Sequence, residues 1–441
     1  MLVPDPEQIA YVNARLIDPA SGLDAPGAVV TLGGEIQAVG PNLFPEGVPD
    51  DFKMIDCAGH VLCPGLIDMR VFVGEPGAEH QETLATASQA AAAGGVTTII
   101  VMPNTAPVID DVSLVDFIKR RSRDTALINV HPMAALTKGL NGEELTEMGL
   151  LREAGAVGFT DGRRSVTNSR LMRNALAYAS NFDAVVVHHA EDPTLAENGA
   201  MNEGELAARL GLNGVPSAAE TIMVHRDLAL VELTGARYHL SQVSCAAALK
   251  AVEKAKADGL NVTCAVSAHH LCLNENDVGE YRTFFKTNPP LRAENDRHAM
   301  VEGLASGTID VVVSSHDPQA PENKRLPFAD AAPGTVGLET LLIATLEQYH
   351  AGHMDLITAL RSLTSSPADI LGFPVGRLKP GAPADMLLFD VDRPTVVDSA
   401  QLKSKSKNTP FDGRRFQGRV LRTIVGGKTV FEDDQSDARP N

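Results

Sequence analysis

A chain of 441 residues, 44% hydrophobic and 21% charged, is long enough for more than one ordinary domain and apolar enough to build a packed core. Its formal charge of −18 argues against a phosphate-backbone ligand, because nucleic-acid binders carry a basic face. No apolar run approaches the ~18 residues of a membrane helix, and the acidic start Met1-Leu-Val-Pro-Asp-Pro-Glu7 lacks the order of a signal peptide. A cytoplasmic protein without membrane contact is expected.

In chain order, residues 9–17, 28–32, 35–39 and 53–56 are short strand-like runs parted by Asp18-Pro19, Gly33-Gly34 and Gly40-Pro41, the spacing of a small β domain. Residues 66–73 form an apolar run entered through Pro64-Gly65 and left through Gly74-Glu75-Pro76-Gly77, as a buried strand is. An Ala-rich helix over 81–93, stopped by Gly94-Gly95, and a β-branched strand over 96–102 complete a βαβ unit. Strand alternation places Asp68, Arg70 and Phe72 on one face, the interior if the sheet closes.

Strand runs at 128–132, 156–160, 184–189, 238–243, 261–266 and 309–314 alternate with helical stretches as a (β/α)8 barrel requires. The runs 383–390 and 420–430 again alternate strand and glycine turn. The expected fold is therefore α/β: a barrel over 63–374, a β-sandwich composed of 1–62 and 375–435, and a frayed tail over 436–441. Cys57, Cys63, Cys245, Cys264 and Cys272 are scattered and odd in number, which suits plain core thiols.

The segment 64–77, the closing segment Ser404-Lys-Ser-Lys-Asn-Thr-Pro-Phe411 and Leu378-Lys-Pro-Gly-Ala-Pro-Ala-Asp385 resemble the dihydroorotase family of cyclic amidohydrolases. In that family the first barrel strand reads Asp-x-His-x-His-Leu-Arg-Glu-Pro-Gly, with two zinc-binding histidines and a substrate-binding arginine. Here Arg70 and Phe72 stand at the histidine positions and Gly74 at the arginine. After strands four and five, Asp161 and His189 keep ligand-type side chains; after strand six the ligand histidine has become Gln242. Ser315 stands where the family has its general base, and a serine hydroxyl is no base near neutral pH.

The resemblance implies a relic substrate pocket of Asn104, Asn288, His316 and Gln319, with His269 and His270 shaping it. Two retained ligands are fewer than a zinc site needs, so no catalytic residue and no cofactor are expected, zinc being required only for a working enzyme. Arg70, a cation on an inward face, is expected to pair with Asp161, or second with Asp68, in the space the ion left.

On this reading the chain resembles the non-catalytic dihydroorotase-like subunit that assembles with aspartate transcarbamoylase, and self-association is expected as well. The alternative is an active zinc-dependent dihydroorotase with an atypical metal site. A hydantoinase or allantoinase fits less well, since those also need the lost histidines.

Overall fold

The computed structural model describes residues 7–433; the expected tail over 436–441 lies outside the described residues. In chain order the first strands are β1 Gln8–Asp18, β2 Leu23–Leu32, β3 Glu35–Gly40, β4 Lys53–Asp56 and β5 Val61–Pro64. The barrel begins with β6 Leu66–Val71, helix α1 Leu84–Ala93, β7 Val96–Val101, β8 Asn129–Pro132 and β9 Val186–His188. Two short strands, β10 Met201–Asn202 and β11 Gly214–Val215, pair with each other before β12 Tyr238–Leu240, β13 Val262–Ser267 and β14 Val311–Val313. Finally β15 Met386–Val396, β16 Arg415–Val425 and β17 Lys428–Glu432 return to the start of the chain.

Both chain ends build one eight-stranded sheet in the order β17-β16-β15-β5-β1-β2-β3, with β4 paired to β1. The two ends are joined by the antiparallel β5–β15 pair, Met386 opposite Pro64 and Phe389 opposite Val61. Tyr11, Leu16, Val29, Leu62, Met386 and Ile424 form the apolar core of this β-sandwich part. Asp385 fastens the sheet to the barrel, because its carboxylate accepts from Asn129 Nδ2 at 2.9 Å and from Gly426 N at 2.7 Å. The Ala-Pro-Ala-Asp385 signature thus marks a junction between the two parts.

The barrel runs β6-β7-β8, a fourth stave at 156–160, then β9-β12-β13-β14. Phe159 bridges Ala134 on one side and Val186 on the other, and the ring closes where Val71 pairs with His316. Helix α1 starts at Thr83, whose hydroxyl accepts from Thr86 N at 3.1 Å while Thr86 Oγ1 accepts from Thr83 N. It ends at Gly94, and Gly95 at φ +80° makes the left-handed turn into β7. Among the described residues no helix is long and apolar enough to cross a membrane.

One expectation about the first barrel strand needs correction. The register of β6 on β7 shifts between Asp68 and Val71, so simple alternation fails there. Met69 and Phe72 join the interior cluster with Ile100, Val187 and Val313, whereas Asp68 turns to backbone donors. Its Oδ1 accepts from Arg70 N at 3.1 Å and Ser314 N at 3.3 Å, which ties the irregular strand to the last stave. Burial pushes this carboxyl up to about 6.

Candidate active site

The C-terminal ends of the staves meet around a cavity of ≈ 20 Å³ lined by Arg70, Phe72, Arg163, Gln242, Asn288 and Asp317 among others. Its mouth is filled by a stack. The Arg163 guanidinium lies 4.1 Å and that of Arg70 5.0 Å from the centre of the Phe72 ring. Arg163 also makes a two-point pair with Asp317, Nε to Oδ2 at 2.9 Å and Nη2 to Oδ1. Sequence separation hid this pair, although each partner sits just beyond a barrel strand, where site residues are to be sought.

Arg70 is buried, and its expected pairing with Asp161 does not form. Its Nη1 reaches Gly162 O at 3.4 Å and Ser241 Oγ at 3.3 Å, while Nε has no hydrogen-bond partner. Asp161 is saturated instead by Leu136 N at 3.0 Å, Thr137 N at 2.9 Å and Thr137 Oγ1. Those donors belong to the preceding loop, and no residue pattern around Asp161 announces them. The second choice fails too, since Asp68 contacts Arg70 only through its backbone N–H. Burial lowers the Arg70 guanidinium to about 10, so it stays a cation at neutral pH.

Gly74 is more than a missing arginine. A Cβ there would collide with the Ala78 carbonyl, so the segment after β6 is shaped to exclude any side chain. Ser315, at the base position, lines the cavity with φ +48°, a left-handed conformation unusual for serine.

The other expected site residues divide into two groups. Asn288 and Gln242 line the cavity, each with its side-chain oxygen unpartnered. His189 is buried with both ring nitrogens unpartnered, and its Nε2 stands 3.8 Å from Glu191 Oε1, which takes a 3.5 Å contact from Asn288 Nδ2. Burial pushes the Glu191 carboxyl up, but His189, Arg292 and Asn288 outweigh it and hold the group below its ordinary value. Asn104 stands just outside the lining, packed on Gly162, with its Nδ2 3.5 Å from Asp161 O.

His316 and Gln319 lie behind the cavity wall. His316 turns toward Gly337 N at 3.2 Å and Glu82 at 3.5 Å, and Gln319 donates to Asp317 Oδ1 at 2.8 Å. His269 and His270 do line the cavity. Burial lowers them to about 3 and about 4, so both are neutral and add no charge.

The closing segment 404–411 holds this architecture from behind. Asn408 donates to Gly334 O at 3.0 Å and accepts from Gln319 N at 3.2 Å, fixing the loop that carries Asp317. Ser404 Oγ and Lys405 N donate to the buried Glu82 ahead of α1, and Ser406 Oγ donates to Gln81 O at 2.8 Å. The signature therefore braces the mouth without entering it.

A closed parallel barrel with polar strand ends and a sheet from both chain termini is the architecture of the amidohydrolase class. The solved L-hydantoinase (dihydropyrimidinase) of Arthrobacter aurescens superposes with TM-score 0.86 at 24% identity, over 96% of each chain. Dihydropyrimidinase from Brevibacillus agri NCHU1002 does so at 0.83 and 21%, covering 96% of this chain and 95% of that one. These likenesses concern the fold. Residues 59–248 match the dihydro-orotase-like family and residues 345–431 the amidohydrolase family. The protein named "Dihydroorotase" from Ehrlichia chaffeensis is 47% identical over 426 residues, 96% of this chain and 95% of its own length. Its namesake from Anaeromyxobacter dehalogenans is 44% identical over 427 residues, 96% and 98%. The chain belongs to the dihydroorotase family.

These relatives overturn the expectation of an inactive assembly subunit. Proteins that match the chain over 96% of its length carry the enzyme's name.

The family typically depends on zinc, and the residues here can be tested for that ion. Among the described residues there is no group of three or more His, Cys, Asp or Glu able to hold a metal. Asp161 has spent its oxygens on the Leu136 and Thr137 N–H groups and the Thr137 hydroxyl, and Arg70 and Phe72 occupy the strand-one positions. Of the two retained ligand-type residues, only His189 has unpartnered ring nitrogens. The donor set does not fit zinc at this place.

Proposed function

We propose that the protein is a cytosolic enzyme interconverting dihydroorotate and N-carbamoyl-aspartate. The observation that carries this reading is the 44–47% identity, over 96% of the chain, to relatives named Dihydroorotase. In the hydrolytic direction a water oxygen bonds to the ring carbonyl carbon, the ring C–N bond breaks, and the leaving nitrogen takes a proton. One group must accept a proton from water and one must return it. His189 and Glu191, 3.8 Å apart beside Asn288, are the pair we assign to holding and moving that proton.

The polarity of the cavity supports the same substrate. Arg70 Nε is a buried donor without an acceptor, and Gln242 Oε1 and Asn288 Oδ1 are acceptors without donors. A ligand carrying a carboxylate and ureide N–H groups would satisfy both kinds, and leaving them unmet costs roughly 1–3 kcal/mol each.

Steady-state assay of the purified chain in both directions is the direct test, run before and after dialysis against a chelator. The expected result is turnover above background, with the same rate after chelation because the donor set does not fit zinc. No turnover in either direction at millimolar substrate would remove the reading. Loss of turnover on chelation, restored by zinc, would show that the ligand set was misjudged.

Association with aspartate transcarbamoylase, which the resemblance implies, is part of this proposal and compatible with a working site. The two proteins mixed at micromolar concentration should leave a gel-filtration column in one peak; two independent peaks would remove the association.

A further inference from the structure

A cavity of ≈ 20 Å³ holds about one water molecule, whereas small-molecule pockets run to several hundred Å³. The substrate proposed above therefore cannot enter unless something in the mouth moves. The residues that fill it are the Arg70–Phe72–Arg163 stack and Asp317.

Of these, Arg163 is the one free to move. Its side chain is 38% exposed, against 10% for its partner Asp317, so of the two it is Arg163 whose charge stays in water when it swings outward. Asp317 is held from several sides. Gln319 Nε2 donates to it at 2.8 Å, and its carboxylate rests on Gly334, where a Cβ would stand only 2.7 Å from Asp317 Cγ. If Arg163 left, Asp317 would keep the Gln319 hydrogen bond.

What Arg163 would move to is set by what remains unmatched. Gly74 leaves no room for a side chain that could bind a substrate carboxylate from the end of β6. Arg70 faces the cavity with a free Nε but is too deeply buried to travel. Arg163 stacks on the other contact of the same Phe72 ring and already holds a carboxylate in two-point geometry.

We propose that Arg163 is the residue that recognises the ligand's carboxylate, and that its pair with Asp317 is the closed position of a bolt. Binding exchanges one carboxylate for another on the same guanidinium: Asp317 is released to Gln319, and the ligand takes its place beside Arg70. The apparent affinity is then the intrinsic affinity reduced by the fraction of molecules in which the bolt is open. The ligand chemistry rests on the dihydroorotase reading; the exchange rests on the geometry of the pair.

Calorimetric titration of the full chain with N-carbamoyl-L-aspartate and with N-carbamoyl-β-alanine, which lacks the α-carboxylate, tests this. The parent should prefer the first ligand. Arg163→Gln should abolish that preference, weakening the first ligand relative to the second by on the order of 10–100-fold, the worth of a charge-assisted two-point contact. Asp317→Asn should keep the preference and bind both ligands more tightly than the parent, since it unlocks the bolt and leaves the clamp.

A merely structural pair would shift both ligands together, so an unchanged preference in Arg163→Gln overturns the proposal, as does weaker binding by Asp317→Asn. Absence of binding by both the parent and Asp317→Asn at millimolar ligand also overturns it. The predicted binding pattern without turnover would retire the enzyme reading and leave the clamp. Turnover with an unchanged preference would do the reverse.

Discussion

Replacing His189 by alanine is expected to lower turnover of dihydroorotate by a factor of ~10²–10⁴, the usual contribution of a positioned acid or base, while the fold survives. The ring is buried, both of its nitrogens lack partners, and Glu191 stands beside it at 3.8 Å. A histidine so placed contributes little to stability through hydrogen bonds, because it makes none. Steady-state rates of the variant, paired with a melting curve, check this. A rate within threefold of the parent would show that the proton is handled elsewhere, and a collapsed melting curve would show that His189 is a packing residue.

The largest loss of stability is expected at Asp227. This fully buried carboxylate on the helix Ser217–Thr234 takes His188 Nδ1 at 2.7 Å, Tyr238 O–H at 2.7 Å and Arg226 Nε at 2.7 Å. Val166 N donates to His188 Nε2 at 2.9 Å, so the ring proton sits on Nδ1 and points at Asp227. Asp227→Ala would leave several buried donors unmet and should destabilise the fold by roughly 3–5 kcal/mol. Asp227→Asn, which keeps one acceptor, should lose less. Equal denaturant midpoints for parent and alanine variant would count against the network.

The same group gives stability a pH dependence of definite sign. Burial alone would raise the Asp227 carboxyl, but His188, Arg226 and Tyr238 outweigh it and hold it below its ordinary value. A depressed folded pKa means that the unfolded chain binds the proton more readily. The contribution is therefore fully present above the unfolded value near ~4 and is lost as pH falls through the lower folded value. Asp227→Asn should remove that acid-side slope and leave the pH dependence near neutral pH unchanged.

The staves were legible in the sequence because fully buried strands are continuous apolar runs bounded by glycine and proline, as at 66–73 and 96–102. The register shift in β6 was not, since alternation carries no sign of it, and Met69 therefore joins Phe72 in the interior cluster. Asp161 was assigned to Arg70 because the backbone donors of Leu136 and Thr137 leave no trace in residue identity. The Arg163–Asp317 pair spans 154 positions and joins two loops whose approach only the closed barrel creates. The step from lost ligands to lost function failed for a different reason. It rested on single positions, whereas the full-length likeness to relatives named Dihydroorotase weighs the whole chain.

The brace formed by residues 404–411 bears on the order in which the molecule is made. Ser404 reaches Glu82 across 322 positions of chain, and Asn408 holds the Asp317 loop from 91 positions away. A chain emerging from the ribosome can complete all the barrel staves while these contacts are still unavailable, and such long-range contacts are the slowest to close. The nascent barrel would expose the buried carboxylate of Glu82 and an unanchored mouth until the last strands arrive. Nascent chains halted before residue 404 would lack the hydrogen bonds that fix Glu82 and the Asp317 loop.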